Sequence, residues 1–467
     1  MSQIIVLGAG VCGLASAMLL GRDGHDVTVL ERDPQPVPPS AGEAQDAWNR
    51  RGVAQFRQPH YLQPRAHQLL ESSFPDITQA MLGSGFNKYD ALTSLPPGIS
   101  DRAARPGDDR FLTLTGRRPK LEHAFAAVAE PVVDIRRGVT VTGLRAAPYN
   151  GVPHVTGVDT AEAGPHAAEL VVDAMGRRSV LSTWLAAIGA RPPIEEAEDS
   201  GFSYYTRYFR SNNGATPEPR GRLLEPIGSF SVLTLPADDR WWSVTAVTAS
   251  RDQPLKELRR ADRWERLIAA CPQQAHWLDG EPLTDVLPIS GLVDRYRRFV
   301  VDGAPVATGI VAVGDSWACT NPSVGRGIAM GLLHAHRLRD VIREHLGAPA
   351  RLAETWDAVT EAELTPWYRG TLSGDRARLA AIAAELGGPP VPPPADAREA
   401  VARAFPIAAV HDADLYRALL EVVCVLTPPR EVLSRPGLAE RILSVADGRD
   451  GSPAPGPTRA EALALIA

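Results

Sequence analysis

The spacing of apolar residues changes along the chain, and each pattern predicts a different kind of structure. Residues 4–7 are a short continuous apolar run, which is typical of a parallel strand buried on both faces, and residues 27–30 are predicted to form a second strand. Between residues 201 and 249 apolar and polar positions alternate, with many aromatic and β-branched side chains, which predicts an antiparallel sheet. After Gly347 apolar residues recur at every third or fourth position, which predicts amphipathic helices.

A glycine-rich turn lies between the first predicted strand and a helix predicted over residues 15–20. Its pattern is G-x-G-x-x-G, in which the first glycine makes a tight turn, the second admits a pyrophosphate, and the third lets the helix pack on the strand. Glu31 follows the second strand, where an acid can accept both ribose hydroxyls and disfavours a 2′-phosphate. We therefore predict a site for FAD or NAD rather than NADP, although the neighbouring Arg32 would suit NADP. The predicted contacts in the turn are Gly8, Gly10, Val11, Cys12 and Gly13.

Two later segments repeat the theme of a buried strand followed by glycine and an acid. Residues 170–172 lead to Asp173 and to a turn at Gly176, and residues 310–313 lead to Gly314 and Asp315. The helix that follows Asp315 begins in a stretch rich in proline and glycine, which includes Pro322, Gly325, Gly327 and Gly331. Glycine costs about 1 kcal/mol relative to alanine at a helical position. These glycines therefore indicate that something must approach the backbone closely.

Length, charge and cysteine content narrow the class of protein. A chain of 467 residues suggests two or three domains. Its net charge of −6 gives no reason to expect binding to nucleic acid or to an anionic membrane, and no apolar stretch is long enough for a membrane span. Its four cysteines stand far apart without metal-ligand spacing, which fits free thiols in the cytoplasm and no metal site.

The three glycine-and-acid segments together resemble the flavoprotein monooxygenase superfamily of the aromatic-hydroxylase type. The segments WNRRGVAQFRQPHYLQPRAHQLLESSFPDI (48–77) and GDSWACTNPSVGRGIAMG (314–331) are most similar to actinobacterial polyketide-tailoring oxygenases and epoxidases, and to related FAD-dependent [4+2] cyclases. The resemblance implies noncovalent FAD, with its ADP half at the first glycine turn and its pyrophosphate near residues 173–179. It places the ribityl chain at Gly314 and Asp315, and the flavin ring against the stretch from Pro322 to Gly327.

The resemblance also implies roles for residues outside these motifs. Arg50 or Arg51, together with Arg118, would neutralise the FAD phosphates, and Val141 would lie on a strand that passes the adenine. The positive end of the helix after Pro322 would favour a reduced, anionic flavin. A covalent flavin link through His60 or His67 is open in principle, but nothing in the sequence requires it.

The predicted fold class is α/β, with a Rossmann-like FAD-binding domain, an inserted α+β substrate domain with an antiparallel sheet, and a C-terminal helical region. The predicted FAD-binding domain is discontinuous and the helical region would close the substrate pocket. An amphipathic helix over residues 260–278 would cover the sheet. The predicted boundaries are 1–70, 105–194 and 290–346 for the FAD domain, 71–104 and 195–289 for the substrate domain, and 347–467 for the helices.

Aromatic residues of the predicted sheet are candidates for the substrate pocket, although alternation allows only about half of them to face it. These candidates are Tyr204, Tyr205, Tyr208, Trp241 and Trp242. No acid–base dyad is visible, so the catalytic residues are unassigned. His334, His336 and His411 are interpreted as packing or surface histidines.

The resemblance implies an FAD-dependent monooxygenase that acts on an apolar natural-product intermediate in secondary metabolism. The reaction would be a hydroxylation or an epoxidation through a flavin C4a-hydroperoxide. Because the chain has one dinucleotide-type glycine motif, NADH or NADPH would bind transiently, or a separate flavin reductase would supply electrons. Two alternatives remain open. One is a non-redox cyclase that catalyses an intramolecular [4+2] cycloaddition of a polyene with FAD as a structural part of its pocket. The other is an FAD-dependent dehydrogenase or reductase.

Overall fold

The strands of this protein belong to a parallel sheet near the N-terminus, a large antiparallel sheet and several small sheets, in a computed structural model that describes residues 1–449 and 454–467. The strands are β1 (Gln3–Leu7), β2 (Asp26–Glu31), β3 (Asn87–Asp90), β4 (Leu112–Thr115), β5 (Asp134–Arg137), β6 (Val141–Tyr149), β7 (Val152–Thr160), β8 (Gly164–Ala167), β9 (Leu170–Asp173), β10 (Ile194–Asp199), β11 (Phe202–Arg210), β12 (Leu224–Ile227), β13 (Phe230–Pro236), β14 (Trp241–Ala249), β15 (Glu281–Pro282), β16 (Leu287–Ile289), β17 (Val293–Arg298), β18 (Val300–Val301), β19 (Ala304–Pro305), β20 (Ile310–Ala312) and β21 (Ala318–Cys319).

Helices surround the parallel sheet and make up most of the chain after residue 326. They are α1 (Val11–Arg22), α2 (Ala41–Asp46), α3 (Pro64–Ser73), α4 (Pro75–Gly83), α5 (Arg118–Ala129), α6 (Leu181–Ala187), α7 (Ala261–Ala269), α8 (Gly327–His345), α9 (Pro349–Glu363), α10 (Thr365–Glu385), α11 (Ala397–Ala409), α12 (Ala413–Val423), α13 (Pro429–Leu433), α14 (Leu438–Ala446) and α15 (Arg459–Ile466). Among the described residues, no helix combines the length and the apolar character needed to cross a membrane.

The parallel sheet has the strand order β20-β9-β1-β2-β5, so it joins strands from three distant parts of the chain. In its register Leu7 lies between Leu30 and Asp173, and Asp173 also pairs with Ala312. The strand order reverses at β1, which is the position where open α/β sheets form a ligand crevice. The three segments singled out in the sequence therefore meet at one edge of the sheet, and the Rossmann-like domain is confirmed.

The large antiparallel sheet has the order β12-β13-β14-β11-β15, with β16 also paired to β11. Its outer face is covered by α7, through Trp264, Leu267 and Ile268, and by α15. The helix predicted over 260–278 is shorter than expected, because α7 ends at Ala269 and the chain then turns through Cys271. The predicted antiparallel sheet and its helical cover are otherwise confirmed.

The packing differs from the predicted domain boundaries in three places. Helix α4 buries Ile77 and Met81 in the core of the parallel sheet, rather than against the antiparallel sheet. Residues 91–111 pack instead with α11, α12 and α14. The C-terminal helices also do not form one body. Helix α9 and the start of α10 pack on the core of the parallel sheet, whereas α15 packs on the antiparallel sheet. In each case the segment buries its apolar side chains against a sheet or helix other than the one that the boundaries predict.

Candidate functional site

A cavity of about 690 Å³ lies between the carboxyl edge of the parallel sheet and the inner face of the antiparallel sheet. One group of lining residues comes from the glycine turn before α1, the end of β2, the start of β6 and the loops near residues 52–63 and 174–178. A second group comes from β11, β13, β14 and the end of α12. The loop and helix start at 313–331 lie between the two groups and contribute to the same cavity.

The first glycine turn has the geometry that its spacing predicts. Gly8 has φ +100°, and a Cβ there would lie 2.8 Å from the Ala174 carbonyl oxygen. A Cβ on Gly13 would lie 2.0 Å from the Gly8 carbonyl oxygen, so this glycine allows α1 to pack on the strand. Gly10 is different, because a Cβ there would meet no protein atom within 4 Å. Its open side faces the cavity, and there a ligand would approach the backbone.

The start of α1 is suited to an anion. The helix has no side-chain cap and no acidic residue in its first turn, so its first N–H groups and positive end are available to a ligand. Val11 and Cys12 line the cavity beside Gly10, whereas Gly13 does not. Glu31 and Arg32 also line it at the end of β2, as predicted.

Two arginines beside this turn are held by a buried set of carboxylates. Arg50 donates to Glu31 at 3.0 Å and to the Ala9 carbonyl at 3.1 Å, and it lies 3.3 Å from Glu122. Glu122 also accepts a 2.6 Å hydrogen bond from Arg118. Both arginines line the cavity, and the shared carboxylate fixes their side chains there. Of the alternative Arg50 or Arg51, the structure places Arg50 in the cavity, while Arg51 is exposed outside it.

His60 holds Arg118 from the other side. Its Nδ1–H donates to the Gln58 carbonyl at 2.8 Å, which leaves Nε2 to accept from Arg118 at 2.9 Å. Burial and the Arg118 charge lower the pKa of His60 to about 3, so the ring is neutral. His67 lies outside the cavity lining, with its ring nitrogens 3.2 Å from the Leu112 carbonyl and 3.3 Å from Glu71. Neither histidine presents a free ring nitrogen for a covalent flavin link.

Asp173 does not line the cavity, contrary to its predicted role as a direct contact. It is fully buried and accepts hydrogen bonds from the Met175 N–H at 2.9 Å, Ser316 at 3.0 Å and Ser179 at 2.5 Å. Ser316 in turn accepts from the Gly176 N–H at 2.8 Å. The carboxylate therefore ties the second motif to the third and shapes both turns, while Gly176 itself reaches the cavity.

Asp315, unlike Asp173, lines the cavity. Within the described residues its carboxylate has no hydrogen-bond or ion-pair partner, and burial raises its pKa while the nearby Arg177 and Arg118 charges oppose the increase. Gly314 has φ +57° and donates its N–H to Nδ1 of His334 at 3.1 Å. His334 also lines the cavity and stacks on Trp356, so it supports the turn that carries Asp315.

The helix start after Asp315 exposes bare backbone. Pro322–Val324 form a single 3₁₀ turn, Gly325 adopts φ +65°, and α8 begins at Gly327 without a side-chain cap or an acid in its first turn. A Cβ on Gly327 would meet only the Asp315 carboxylate, at 4.0 Å. The three positions predicted to face the flavin, Pro322, Gly325 and Gly327, all line the cavity. Gly331 also lines the cavity and lies where α8 crosses α1, and a Cβ there would make an ordinary contact with Cys12 Cβ at 3.4 Å.

The five aromatic candidates for the substrate pocket divide between the faces of the sheet. Tyr204 lines the cavity and its hydroxyl donates to the Asn321 side-chain oxygen. Tyr205 and Trp242 point to the opposite face, where they pack in the core under α7. Tyr208 and Trp241 are outside the cavity lining, further along the sheet, where Arg117 stacks on Trp241 at 3.8 Å. Strand alternation and distance along β11 thus leave one of the five at the cavity.

Several lining residues belong to no motif, and of these only His60 was named from the sequence, as a possible covalent link to the flavin. Gln58, His60 and Gln63 come from the loop before α3, and Arg177 follows Gly176. The substrate-side wall is mainly aliphatic, and its leucines are Leu223, Leu224, Leu233, Leu235, Leu292, Leu419 and Leu420. The period-two pattern of β13 would have indicated Leu233 and Leu235, whereas the α12 residues depend on tertiary packing. Val141, which was predicted, lines the opposite side of the cavity.

In the described ranges 1–449 and 454–467, no group of three or more His, Cys, Asp or Glu side chains is placed to hold a metal ion.

Comparison with known proteins agrees with this geometry. Residues 6–70 match the family model of an NAD(P)-binding Rossmann-like domain. The chain is 29% identical to protein Rv3254 of Mycobacterium tuberculosis over 367 residues, which are 73% of this chain and 72% of that protein.

Two solved structures show the same fold over most of the chain. The Diels-Alderase PyrE3 of pyrroindomycin biosynthesis superposes with a TM-score of 0.58 at 18% identity, covering 91% of this chain and 81% of PyrE3. OxyS, an anhydrotetracycline hydroxylase from Streptomyces rimosus, gives a TM-score of 0.54 at 19% identity, covering 91% and 76%. This chain therefore shares its fold with a Diels-Alderase and with a hydroxylase.

Proposed function

We propose that this chain, which shares its fold with the hydroxylase OxyS and the Diels-Alderase PyrE3, binds FAD noncovalently and transfers one oxygen atom to an apolar natural-product intermediate. The observation that carries this proposal is the continuity of the cavity. An anion-binding turn, an unpartnered acid and a bare helix start lie on one side, and an aliphatic wall lies on the other.

The residues of the site fit FAD. The open face of Gly10 and the uncapped start of α1 would hold the pyrophosphate, with Arg118 fixed beside them. Glu31 would accept from the adenosine ribose, and Asp315, which lacks a protein donor in the described structure, would accept from the ribityl hydroxyls. The backbone at Gly325 and Gly327 leaves room for a flat ring. The engaged ring nitrogens of His60 favour noncovalent binding.

When bound and reduced, the flavin would activate dioxygen for transfer of one oxygen atom to the substrate. The chain itself contributes position, exclusion of water and a favourable field. The N-terminus of α8 directs its dipole and free N–H groups towards the glycine stretch, where they stabilise negative charge. The leucine-rich wall keeps water away from the reacting groups and orients an apolar substrate.

The proposal also includes a source of electrons, a cellular location and the partners of the protein. We infer that NADH or NADPH binds transiently, or that a separate flavin reductase reduces the cofactor, and that no nucleic acid or membrane is needed. All four cysteines are free, and three of them are buried, which supports a reducing compartment such as the cytoplasm.

The test begins with the absorption spectrum of the purified protein, followed by anaerobic addition of NADH and of NADPH. We expect flavin bands that either nucleotide, or an added flavin reductase, bleaches, and oxygen uptake that accompanies conversion of a substrate from extracts. A Leu235→Trp variant should fill the substrate side of the cavity, keep its FAD and lose conversion, whereas Leu443→Trp, at an exposed position, should behave as wild type. A protein that takes up no FAD would refute the proposal.

A non-redox cyclase is the second candidate. Its support is the mainly aliphatic substrate wall, which suits folding of a polyene, together with the fold shared with the Diels-Alderase PyrE3. The same assay separates the two functions. Conversion under anaerobic conditions with oxidised flavin would establish cyclisation, and conversion that requires oxygen would exclude it. Bleaching of the flavin by the substrate itself would instead indicate a dehydrogenase.

A further inference from the structure

A buried polar cluster lies behind the loop that faces the flavin, and the function proposed above does not use it. The cluster joins Tyr204 of β11, Asn321 and Ser323 of the loop, Asp294 of β17 and Asp375 of α10. Tyr204, Asn321 and Ser323 also line the cavity, while the two carboxylates lie behind them. Four separate elements thus bring polar groups to one point of the cavity wall.

The hydrogen bonds of the cluster have a defined direction. Tyr204 donates to the Asn321 side-chain oxygen, so the amide nitrogen must face Ser323, to which it donates at 3.2 Å. Since Ser323 Oγ accepts from Asn321, its own hydrogen is free to point at Asp375 Oδ1, which is 3.5 Å away. One lone pair of Ser323 Oγ then remains for a donor in the cavity.

Within the described residues, Asp375 forms no ion pair, although it is a buried carboxylate. It is 9% exposed, and its Oδ2 has no hydrogen-bond partner in the described structure. The charged groups that face it are Asp294 and Arg326, and the Arg326 guanidinium is occupied by Thr371 at 3.0 Å and by the Val422 carbonyl at 3.3 Å. Burial, with the Asp294 charge as a further cause, raises the pKa of Asp375 to about 7, although side-chain hydrogen bonds from Asn321 and Ser323 and the Arg326 charge oppose the increase.

The surroundings of Asp294 raise the pKa of its carboxyl group. Its carboxylate accepts from the Asn321 N–H at 2.5 Å, while burial and the nearby Glu198 and Asp199 charges raise its pKa to about 6 and the Arg177 charge opposes them. Asp294 therefore shares the cluster without pairing to a cation within the described residues. Two carboxylates that disfavour each other's charge make one of them a ready acceptor for a proton.

We propose that Asp375, acting through Ser323, accepts the proton of a hydroxyl group on the substrate, which makes the substrate class of the proposed function a hydroxyl-bearing apolar molecule. In this step the substrate O–H bond breaks and its proton moves to Ser323 Oγ. The original Ser323 proton passes at the same time to Asp375 Oδ1. The substrate oxygen keeps the electron pair, and Ser323 ends with one proton, as it began. Asp375 is thus a positioning and proton-holding residue rather than a group that touches the substrate.

The experiment compares two probe ligands that differ in one hydrogen-bond donor, 2-naphthol and 2-methoxynaphthalene, on the full-length protein as purified. Dissociation constants are measured by equilibrium dialysis at about pH 6 and about pH 8, on either side of the Asp375 pKa. Because a hydrogen bond to a charged group is about twice as strong as a neutral one, 2-naphthol should bind about fivefold more tightly at the higher pH. The ether, which cannot donate, should change by less than about twofold.

Three variants separate the proton site from a structural effect. Asp375→Asn keeps the shape but removes the charge, and Ser323→Ala breaks the connection. Both should bind 2-naphthol with no pH dependence. Asp396→Asn is the matched control in the same C-terminal region, because Asp396 is an exposed helix cap that asparagine replaces well, and it should retain the wild-type difference.

Three results would contradict the proton site. Equal pH dependence for the two probes, a pH dependence that survives in Asp375→Asn, or no binding of 2-naphthol by the wild type would each overturn the proposal. FAD content is read from the absorbance of the same samples. A flavin-loaded protein without the naphthol effect refutes the proton site alone, and a protein without flavin that shows the effect refutes the flavoprotein proposal alone. Melting curves confirm that each variant is folded.

Discussion

Replacement of Gly10 by alanine tests the cofactor site with little disturbance of the fold. Gly10 is the N-cap of α1, with φ −82° and ψ 174°, a conformation that alanine adopts without strain. The added methyl group would meet no protein atom within 4 Å and would project into the cavity. The perturbation therefore acts on whatever ligand lies against this turn.

The two expected effects differ greatly in size. The apoprotein should change in unfolding free energy by no more than about 1 kcal/mol, because alanine is a poorer N-cap than glycine but restricts the unfolded chain. A pyrophosphate held away from the turn would lose one or two hydrogen bonds to a charged group, each worth about 1.5–3 kcal/mol. The affinity for FAD should then fall by about 10-fold to more than 100-fold, since about 1.4 kcal/mol is tenfold.

The assay is a fluorescence titration of apoprotein with FAD, together with melting of the apoprotein. Gly21→Ala is the control on the same helix, because a Cβ there also meets nothing within 4 Å, and it should keep full affinity. Gly13→Ala should instead disrupt the fold, because its Cβ would lie 2.0 Å from the Gly8 carbonyl oxygen. If Gly10→Ala bound FAD within twofold of the wild type, the phosphates would not lie at this turn and the assignment of the site would be wrong.

Substitutions at three buried acids, with Asp239→Asn as a comparison, test the charged groups of the structure. Glu122→Gln should lower both FAD affinity and the melting temperature, because two buried arginines lose the carboxylate they share, and unchanged FAD titrations would contradict this. Asp238→Asn should cost about 3–5 kcal/mol in urea unfolding, because it breaks a fully buried pair with Arg117, whereas the half-exposed Asp239→Asn should cost about 1 kcal/mol or less. Asp375→Asn should stabilise the protein more at high pH than at low pH, because the raised pKa makes the folded wild type lose stability as pH rises from about 4 to about 7. Melting curves across this range check the sign, and an equal gain at both ends would refute it.

The side of the cavity proposed for the cofactor was predictable because its signals are local. A glycine turn, the strand before it and the acid after the next strand lie within thirty residues, and each has one conformation that suits it. The parallel sheet then brings the later strands to the same edge, so Gly314 and Asp315 follow from the fold. Sequence spacing places Asp173 correctly at the end of its strand. It does not show whether the carboxylate faces the cavity or the neighbouring turn, and in the structure it accepts a hydrogen bond from Ser316 of that turn.

The substrate side was much less predictable. The alternation of β11 and β14 predicts two faces, and it is correct that Tyr204 and Tyr205 point in opposite directions. It does not predict which face is inner, and it does not show that Tyr208 lies beyond the end of the cavity. The α12 leucines reach the cavity because helices after residue 397 pack on residues 91–111, a contact between segments about 300 residues apart. Apolar periodicity finds such helices but not their partners.

In the proposed function, the loop from Asn321 to Gly327 would contact both the flavin and the substrate. Its glycine backbone and the start of α8 face the place proposed for the flavin, where side chains would obstruct. The side chains of Asn321 and Ser323 connect instead to Tyr204 and Asp375. Glycine substitutions here should therefore change cofactor affinity, while changes to the two polar side chains should alter which substrates bind and at what pH. Because the two functions use different atoms of the same loop, relatives with this fold can keep the cofactor site and change the chemistry performed beside it.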